Sequence, residues 1–561
     1  MSVRWVRAAR AGSILAVFAT GTLVGAATAA PSPNSQQEIR AVVTLRSAGP
    51  VTAPGVRIVS VLPHVGVEVV RATPAALRGL ATDPRVAGIA PDDRVQLTGH
   101  DEGQKHNAAD PGVYAWQGLG GKAGKDVAGA GVTIAVLDTG VSDTPALNRA
   151  SSRLVDGVDT SRLQSGGDAR TSGTFNDGYG HGTFMANLIA GGPVDQVSGR
   201  RALGVAPGAR VVVVKVADDR GATSLSQVLA GMDWVAAQAP KIQVVNIALS
   251  HQRPNGAYGA DPLTAGVEHL VAGGLVVVAA AGNTPGEVGD PGMAPQALTV
   301  GAADLTDGSD DGNNGNGNNE NDNNASVADF SGSANVAGVR KPDLVSSGVG
   351  LLSILPSRSV IARAHPEALQ DNGLYRGSGT SESTAVTSGA VAVLLSNNPD
   401  ARLTDVKPAL RVAADEIDGG RAQGNGLLDV SNALKDLRRY VRNGGDNANG
   451  EDSLDVATWK ANSWLHGGWE KWLSKAWSAN SWAADGSWSA NSWSANSWSS
   501  DNWSANSWAA NSWAANSWAA NSWAANSWSA NSWSANSWAA NSWSANSWSA
   551  GSWADQSWGE R

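Results

Sequence analysis

The chain runs to 561 residues without a cysteine, which excludes a thiol nucleophile, a disulfide framework and thiolate metal sites. It also lacks a basic excess. The net charge is −9 and the pI near 5.4, so there is no electrostatic footprint for nucleic acid. No stretch is apolar over the ~20 residues that a membrane span needs. There is no HExxH, which excludes the zinc-peptidase helix. DTG occurs once, at Asp138, and no DSG occurs, so the paired carboxylates of an aspartic protease are missing.

What is present divides the chain into five parts. In residues 1–30, Arg4, Arg7 and Arg10 precede an uncharged run from Ala11 to Val24 and then small residues to Ala30. That is the order of a secretory signal peptide cleaved near Ala29 or Ala30, and it predicts export. Residues 31–105 predict a small α+β unit. Strands are expected at Ile39–Leu45, Val56–Leu62 and Gly66–Arg71, and a helix at Pro74–Ala81 opened by Thr73 as N-cap. A unit of about sixty residues folds only marginally. Placed between a signal and a larger domain it reads as a propeptide, and polar Thr98–Ala109 reads as an accessible cleavage region.

Residues 106–440 alternate strands with helices. Short apolar runs at Val132–Leu137, Val211–Val216, Val244–Leu249, Leu275–Ala280 and Ala297–Ala302 suit parallel strands buried on both faces. Helices are expected at Gly182–Ala190, Ser224–Ala239 and Asp261–Ala272, with Ser224 and Asp261 as N-caps. The alternation predicts a mostly parallel sheet between helical layers. Ligands of such sheets gather beyond the carboxyl ends of the strands.

Four candidate residues fall at element ends. Asp138 closes the run AVLD, Asn283 follows VVVAAAG, and His181 opens a helix in YGHGT. Between 376 and 397, a Gly-rich turn delivers Ser381 to the start of a helix of small and apolar residues. There, unpaired backbone N–H groups can stabilise negative charge forming beside its hydroxyl. Each has a bland alternative in a turn, a loop amide or a helix cap. An acid, an imidazole, an amide and a serine meeting at one sheet edge make a nucleophilic site.

The segments AVLDTGV, GHGT, VVNIALS, AAAGN, KPDLVSSG, GTS and GNGLLDV, in this order over about 129–437, resemble the subtilisin-like serine proteases, or subtilases. The resemblance implies a three-layer subtilisin-like α/β domain with a mostly parallel sheet, and an inhibitory role for the 31–105 unit. It implies Ser381 as nucleophile, His181 as base, Asp138 as its partner, and Asn283 as oxyanion donor beside the Ser381 N–H. Ala248, Leu249 and Ser250 would form one wall of the specificity pocket, and Ala279, Ala280, Ala281 and Gly282 the other. Small walls predict a preference for apolar or aromatic side chains. The reaction implied needs no cofactor, and its partners are protein or peptide substrates and the chain's own propeptide.

The chain also departs from the family pattern. Ser381 is followed by Glu382 rather than Met, with no Pro further on; an acid in the first helical turn is electrostatically favourable. Phe184 and Met185 follow GHGT, and Ser250 replaces a usual Gly, which would narrow the pocket. The insertion Thr306–Asn324 reads as an Asn/Gly-rich loop. Its acids leave a structural calcium open, with no ligand assigned.

Residues 441–458 form a polar linker, and 459–561 a low-complexity repeat tail. All of the 24 tryptophans except Trp5, Trp116 and Trp234 lie there, every fifth residue from Trp488 to Trp558. A period of five fits neither an amphipathic helix nor a strand. It leaves a stacked solenoid and an unstructured adhesive tail as the two readings. Exposed Trp rows could stack on the sugar rings of a cell wall or another polysaccharide, at or near the cell surface, or could drive self-association. The reading from a different class is a non-catalytic surface-binding protein on a protease-like scaffold. Retention of Asp138, His181, Asn283 and Ser381 together argues for a secreted serine endopeptidase.

Overall fold

The structure, a computed structural model, describes residues 37–442 apart from 98–111, 252–260, 306–324 and short breaks elsewhere. The signal segment, the 98–109 stretch, the 306–324 insertion and the repeat tail therefore lie outside the described residues.

The chain opens with β1 (Ile39–Leu45), β2 (Val56–Leu62), β3 (Val67–Ala72), α1 (Pro74–Leu80), β4 (Val86–Pro91) and β5 (Arg94–Leu97). The first four strands make an antiparallel sheet in the order β2-β3-β1-β4. Strand alternation divides its side chains between two faces. Ala41 and Val43 pack with Leu77 and Leu80 of α1, while Val42, Val67 and Val69 join a core shared with the larger domain.

That domain contains β6 (Thr133–Asp138), β7 (Leu154–Asp159), α2 (His181–Ala190), β8 (Arg210–Lys215), β9 (Thr223–Ser224), α3 (Leu225–Ala236), β10 (Val244–Ile247), β11 (Leu249–Ser250), α4 (Pro262–Ala272), β12 (Val276–Ala280), β13 (Leu298–Asp304), β14 (Ser326–Val327), the pair β15 (Ala334–Val336) and β16 (Val339–Lys341), β17 (Leu344–Ser347), β18 (Leu351–Ser353), α5 (Val360–Ala364), β19 (Tyr375–Gly377), α6 (Thr380–Asn397), α7 (Leu403–Ala413) and α8 (Val430–Arg442). The central sheet runs β17-β13-β12-β10-β6-β8-β7, all parallel, with short β14 antiparallel on β13.

Alternation along these strands builds three layers. Ile134, Val136, Val211 and Val244 face the core that holds α2, α6, α7 and α8. Ala135, Leu137, Val212 and Val245 face the core that holds α3 and α4. This is the subtilisin-like α/β architecture expected from the motifs. Helix α6 is buried from Thr380 to Leu395, which explains its small residues: a Cβ on Gly389 would lie 2.7 Å from the Val205 Cβ.

Three local expectations change. The run Val244–Leu249 breaks after Ile247, because Leu249 and Ser250 pair with β5 in a separate three-stranded sheet. Strand β17, whose LVSS has little apolar signal, forms because it lies against β13. Ser224 stands at the N-cap of α3 without a side-chain cap bond. Asp92, from the N-terminal unit, accepts the Ser226 N–H at 2.8 Å instead. Asp261 does cap α4, accepting from the Leu263 and Thr264 N–H groups. The KPD segment is structural: Lys341 Nζ donates to Ala297 O at 2.9 Å and to Asp343 Oδ2 at 2.8 Å.

Candidate active site

The sheet presents its carboxyl ends to one edge, and Asp138, the last residue of β6, stands there fully buried. Helix α2 starts beside it with His181. The approach is close: a Cβ on Gly182 would lie 2.2 Å from Gly140 O and 3.1 Å from the Asp138 Cβ, so only glycine lets the helix tip reach the strand end. His181 Nδ1 is 2.8 and 2.9 Å from the two Asp138 oxygens. A carboxylate only accepts, so Nδ1 carries the proton and Nε2 presents a lone pair. Ser381 Oγ lies 3.0 Å from that Nε2 and 3.4 Å from Ala248 O. Asp138, His181 and Ser381 are each at most 4 % exposed.

Asn283 follows β12 by three residues. Its Oδ1 accepts from the Thr380 N–H at 3.0 Å and the Thr380 hydroxyl at 2.8 Å, and Thr380 Oγ1 accepts the Gly282 N–H at 3.1 Å. These bonds fix which end of the Asn283 amide meets Thr380, the residue before Ser381. The structure thus brings together the four residues singled out in the sequence.

The wall residues also lie at this edge. Leu249 and Ser250 form β11, and Ala281 and Gly282 leave β12 just before Asn283. Ser250 Oγ sits 3.6 Å from where a Cβ on Gly282 would stand, between the two walls, and it is buried without a hydrogen-bond partner. Ala279 and Leu249 pack in the core on α3 and α4, and Ala248 in the core on the opposite face of the sheet. β5 runs antiparallel along β11, Leu97 opposite Leu249 and Gln96 opposite Ser250, and pairs on its other edge with β9.

The electrostatics set the base. Burial alone would lower the His181 pKa, but the charge and hydrogen bond of Asp138, then the charges of Glu382 and Asp177, outweigh it and the imidazole is raised. Glu382 behaves differently from the first-turn acid expected. It is buried, with Oε2 unpartnered, and burial pushes its carboxyl up to about 7 against the opposing pull of His181. Desolvation here outweighs the helix N-terminus.

A stability consequence follows. Glu382 titrates at 4.5 when unperturbed and at about 7 when folded, so the folded state binds more protons between those values and stability falls as pH rises through that interval. Above it the penalty amounts to roughly 3 kcal/mol. In a Ser381→Ala background, which prevents self-digestion, Glu382→Gln is expected to raise the melting temperature at pH 8 and leave it unchanged near pH 4. An equal shift at both pH values would attribute the effect to packing.

The sequence model of the subtilase family, Peptidase S8, matches residues 129–446. The chain belongs to the subtilase family. This subtilase is 28% identical over 325 residues to the serine protease AprX of Bacillus subtilis (strain 168), covering 55% of this chain and 68% of the relative. It is 28% identical over 313 residues to Subtilisin Savinase of Lederbergia lenta, covering 55% and 93%. Fervidolysin from Fervidobacterium pennivorans, described as a keratinolytic enzyme related to subtilisin, shares the fold with a TM-score of 0.52 at 21% identity, over 71% of this chain and 61% of that one. Membership makes the chain a serine-type endopeptidase hydrolase. Among the described residues of this subtilase no helix is long and apolar enough to cross a membrane.

One residue of the site, Asp177, was not singled out from the sequence, and the burial of another, Glu382, was not expected. Asp177 carries the α2 tip, and the only sequence signal is an acid four residues before His181. The burial of Glu382 is set by the fold: a Cβ on Gly377 would stand 3.0 Å from its Oε1 and 2.9 Å from Phe184 Cζ, a proximity no local pattern records.

Proposed function

We propose that this subtilase is a secreted serine endopeptidase, made as a precursor held inactive by its own N-terminal unit, in which Ser381, His181 and Asp138 carry the reaction. The observation behind it is the unbroken chain Asp138–His181–Ser381, with contacts of 2.8 and 3.0 Å. Ser381 Oγ attacks the scissile carbonyl carbon as His181 Nε2 takes its proton, and Asp138 stabilises the imidazolium. The oxyanion is held by the Ser381 N–H and Asn283 Nδ2. Collapse breaks the C–N bond, and His181 returns the proton to the leaving amine. Water then repeats the sequence on the acyl-enzyme. No step calls for a cofactor.

The precursor reading rests on β5 filling the cleft between β9 and β11. Leu97 stands opposite Leu249, one residue from Ala248, whose carbonyl meets Ser381 Oγ. The unit is fastened at the tips of α3. Asp92 takes the Ser226 hydroxyl at 2.6 Å and pairs with Arg40 at 2.6 Å, and the His64 N–H donates to Asp233 at 2.7 Å. Hydrolysis of a chromogenic peptide by the purified protein and its Ser381→Ala variant tests the chemistry; equal activity in both would refute it.

The repeat tail supports a binding role through its Trp period and its uncharged stretch from Ser504 to Ala554. Deleting residues 459–561 is expected to leave peptide cleavage intact and to lower retention on cell-wall polysaccharide. Unchanged retention would sink the anchoring role.

A further inference from the structure

Helix α2, like α6, starts without a side-chain cap at its N-cap residue. Its N-cap is Gly180, which has no side chain to accept the first N–H groups. The Thr183 N–H goes instead to Asp177, a carboxylate only 4 % exposed, which also collects the N–H groups of the turn just before the helix. Its Oδ1 accepts from the Gly180 N–H at 2.6 Å and the Tyr179 N–H at 3.1 Å. Its Oδ2 accepts from the Thr183 N–H at 2.8 Å and the Thr183 hydroxyl at 2.7 Å.

A fifth donor links this cap to the other half of the site. The Thr139 hydroxyl donates to Asp177 Oδ1 at 2.8 Å, and Thr139 Oγ1 in turn accepts the Gly182 N–H at 2.9 Å. Thr139 adjoins Asp138 and donates its own N–H to Asp138 Oδ1 at 2.8 Å. The hydroxyl is farther from Asp138, at 3.3 Å, so its proton belongs to Asp177. One carboxylate therefore ties the strand end that carries the acid to the helix tip that carries the base. We infer that Asp177, acting through Thr139, is a positioning residue that holds Asp138 and His181 in register for proton transfer from Ser381. Asp177 acts on the geometry of the site through these bonds, none of which reaches Ser381. Its negative charge also adds to the rise in the His181 pKa.

The inference rests on reading Asp138, His181 and Ser381 as the catalytic triad. The test compares kcat, KM and the pH profile of kcat/KM for the self-processed parent, Asp177→Asn, Thr139→Val, Thr139→Ser and the double variant, with Ser381→Ala alongside. Asp177→Asn keeps the shape but weakens the cap, and is expected to lower kcat about 10- to 100-fold with KM little changed, since small misplacements of reacting groups have effects of that order. It should also move the acid limb to lower pH, because a negative charge near His181 is gone. Thr139→Val should lower kcat while leaving the acid limb in place, and Thr139→Ser should restore it. In the double variant the losses should not add, as expected of two members of one network.

Parental kcat in Asp177→Asn, or fully additive losses, would overturn the inference. If Asp177→Asn fails to fold, the Thr139→Val and Thr139→Ser pair decides, and equal kcat in those two would overturn it. Activity in Ser381→Ala would instead defeat the triad reading itself.

Discussion

Ser381→Ala is expected to lower kcat by about 10⁶, the size known for removal of the nucleophile in a subtilisin triad. The geometry explains why the loss should be so large. His181 Nε2 has the Ser381 hydroxyl as its reacting partner, 3.0 Å away, and an alanine methyl offers neither a proton nor a lone pair. The variant protein should also remain uncleaved between its N-terminal unit and the catalytic domain when expressed, whereas the parent is expected to be processed. KM for a peptide should change little, since the cleft between β9 and β11 is untouched. Retention of measurable turnover above the residual that oxyanion donors and binding provide would show that another residue carries the attack.

Asn283→Ala is the second large effect. It should reduce kcat by about 10² to 10³, the size measured for such a donor in a subtilisin, with a small effect on KM. The magnitude is taken from that relative; the reason to expect it in this chain is local. Thr380 holds the Asn283 carbonyl oxygen with two hydrogen bonds, so the amide cannot rotate to present oxygen to the cleft. The donor is fixed before charge develops, which is the condition for a large electrostatic contribution. Asn283→Asp serves as the sharper control, because it places a negative charge against a forming oxyanion and should lose more than the alanine. If both variants kept the parental kcat, the second oxyanion donor would have to be sought elsewhere.

The meeting of Asp138, His181, Asn283 and Ser381 was legible because each occupies the end of a strand or helix, where local residue patterns carry the signal: an apolar run ending in Asp138, a Gly-rich turn ahead of Ser381. The parallel sheet was legible for the same reason in its Val-rich strands. Strand β17 was not, since LVSS is made a strand by its neighbour β13 and not by its own residues. Ser224 looked like the cap of α3, but the acceptor is Asp92, from a separate unit, and no pattern near Ser224 could show that. Glu382 and Asp177 were opaque because burial decides what a carboxyl does, and burial is made by residues distant in the chain. The burial of both faces of the sheet was legible in the continuous apolar runs of its strands, whereas the assignment of Ala279 and Leu249 to one core and Ala248 to the other needed the strands' actual orientation.

β9 and β11 are two residues long each and meet only through β5. With β5 withdrawn, what remains is two short, facing edges with unpaired backbone groups, a slot that any extended peptide can enter by adding itself as the missing strand. Recognition at such a slot is first of all recognition of main chain, and side chains only refine it. The polypeptides that fit are those able to offer several consecutive residues with no hydrogen bonds of their own, so the folding state of a target protein would select it before its sequence does.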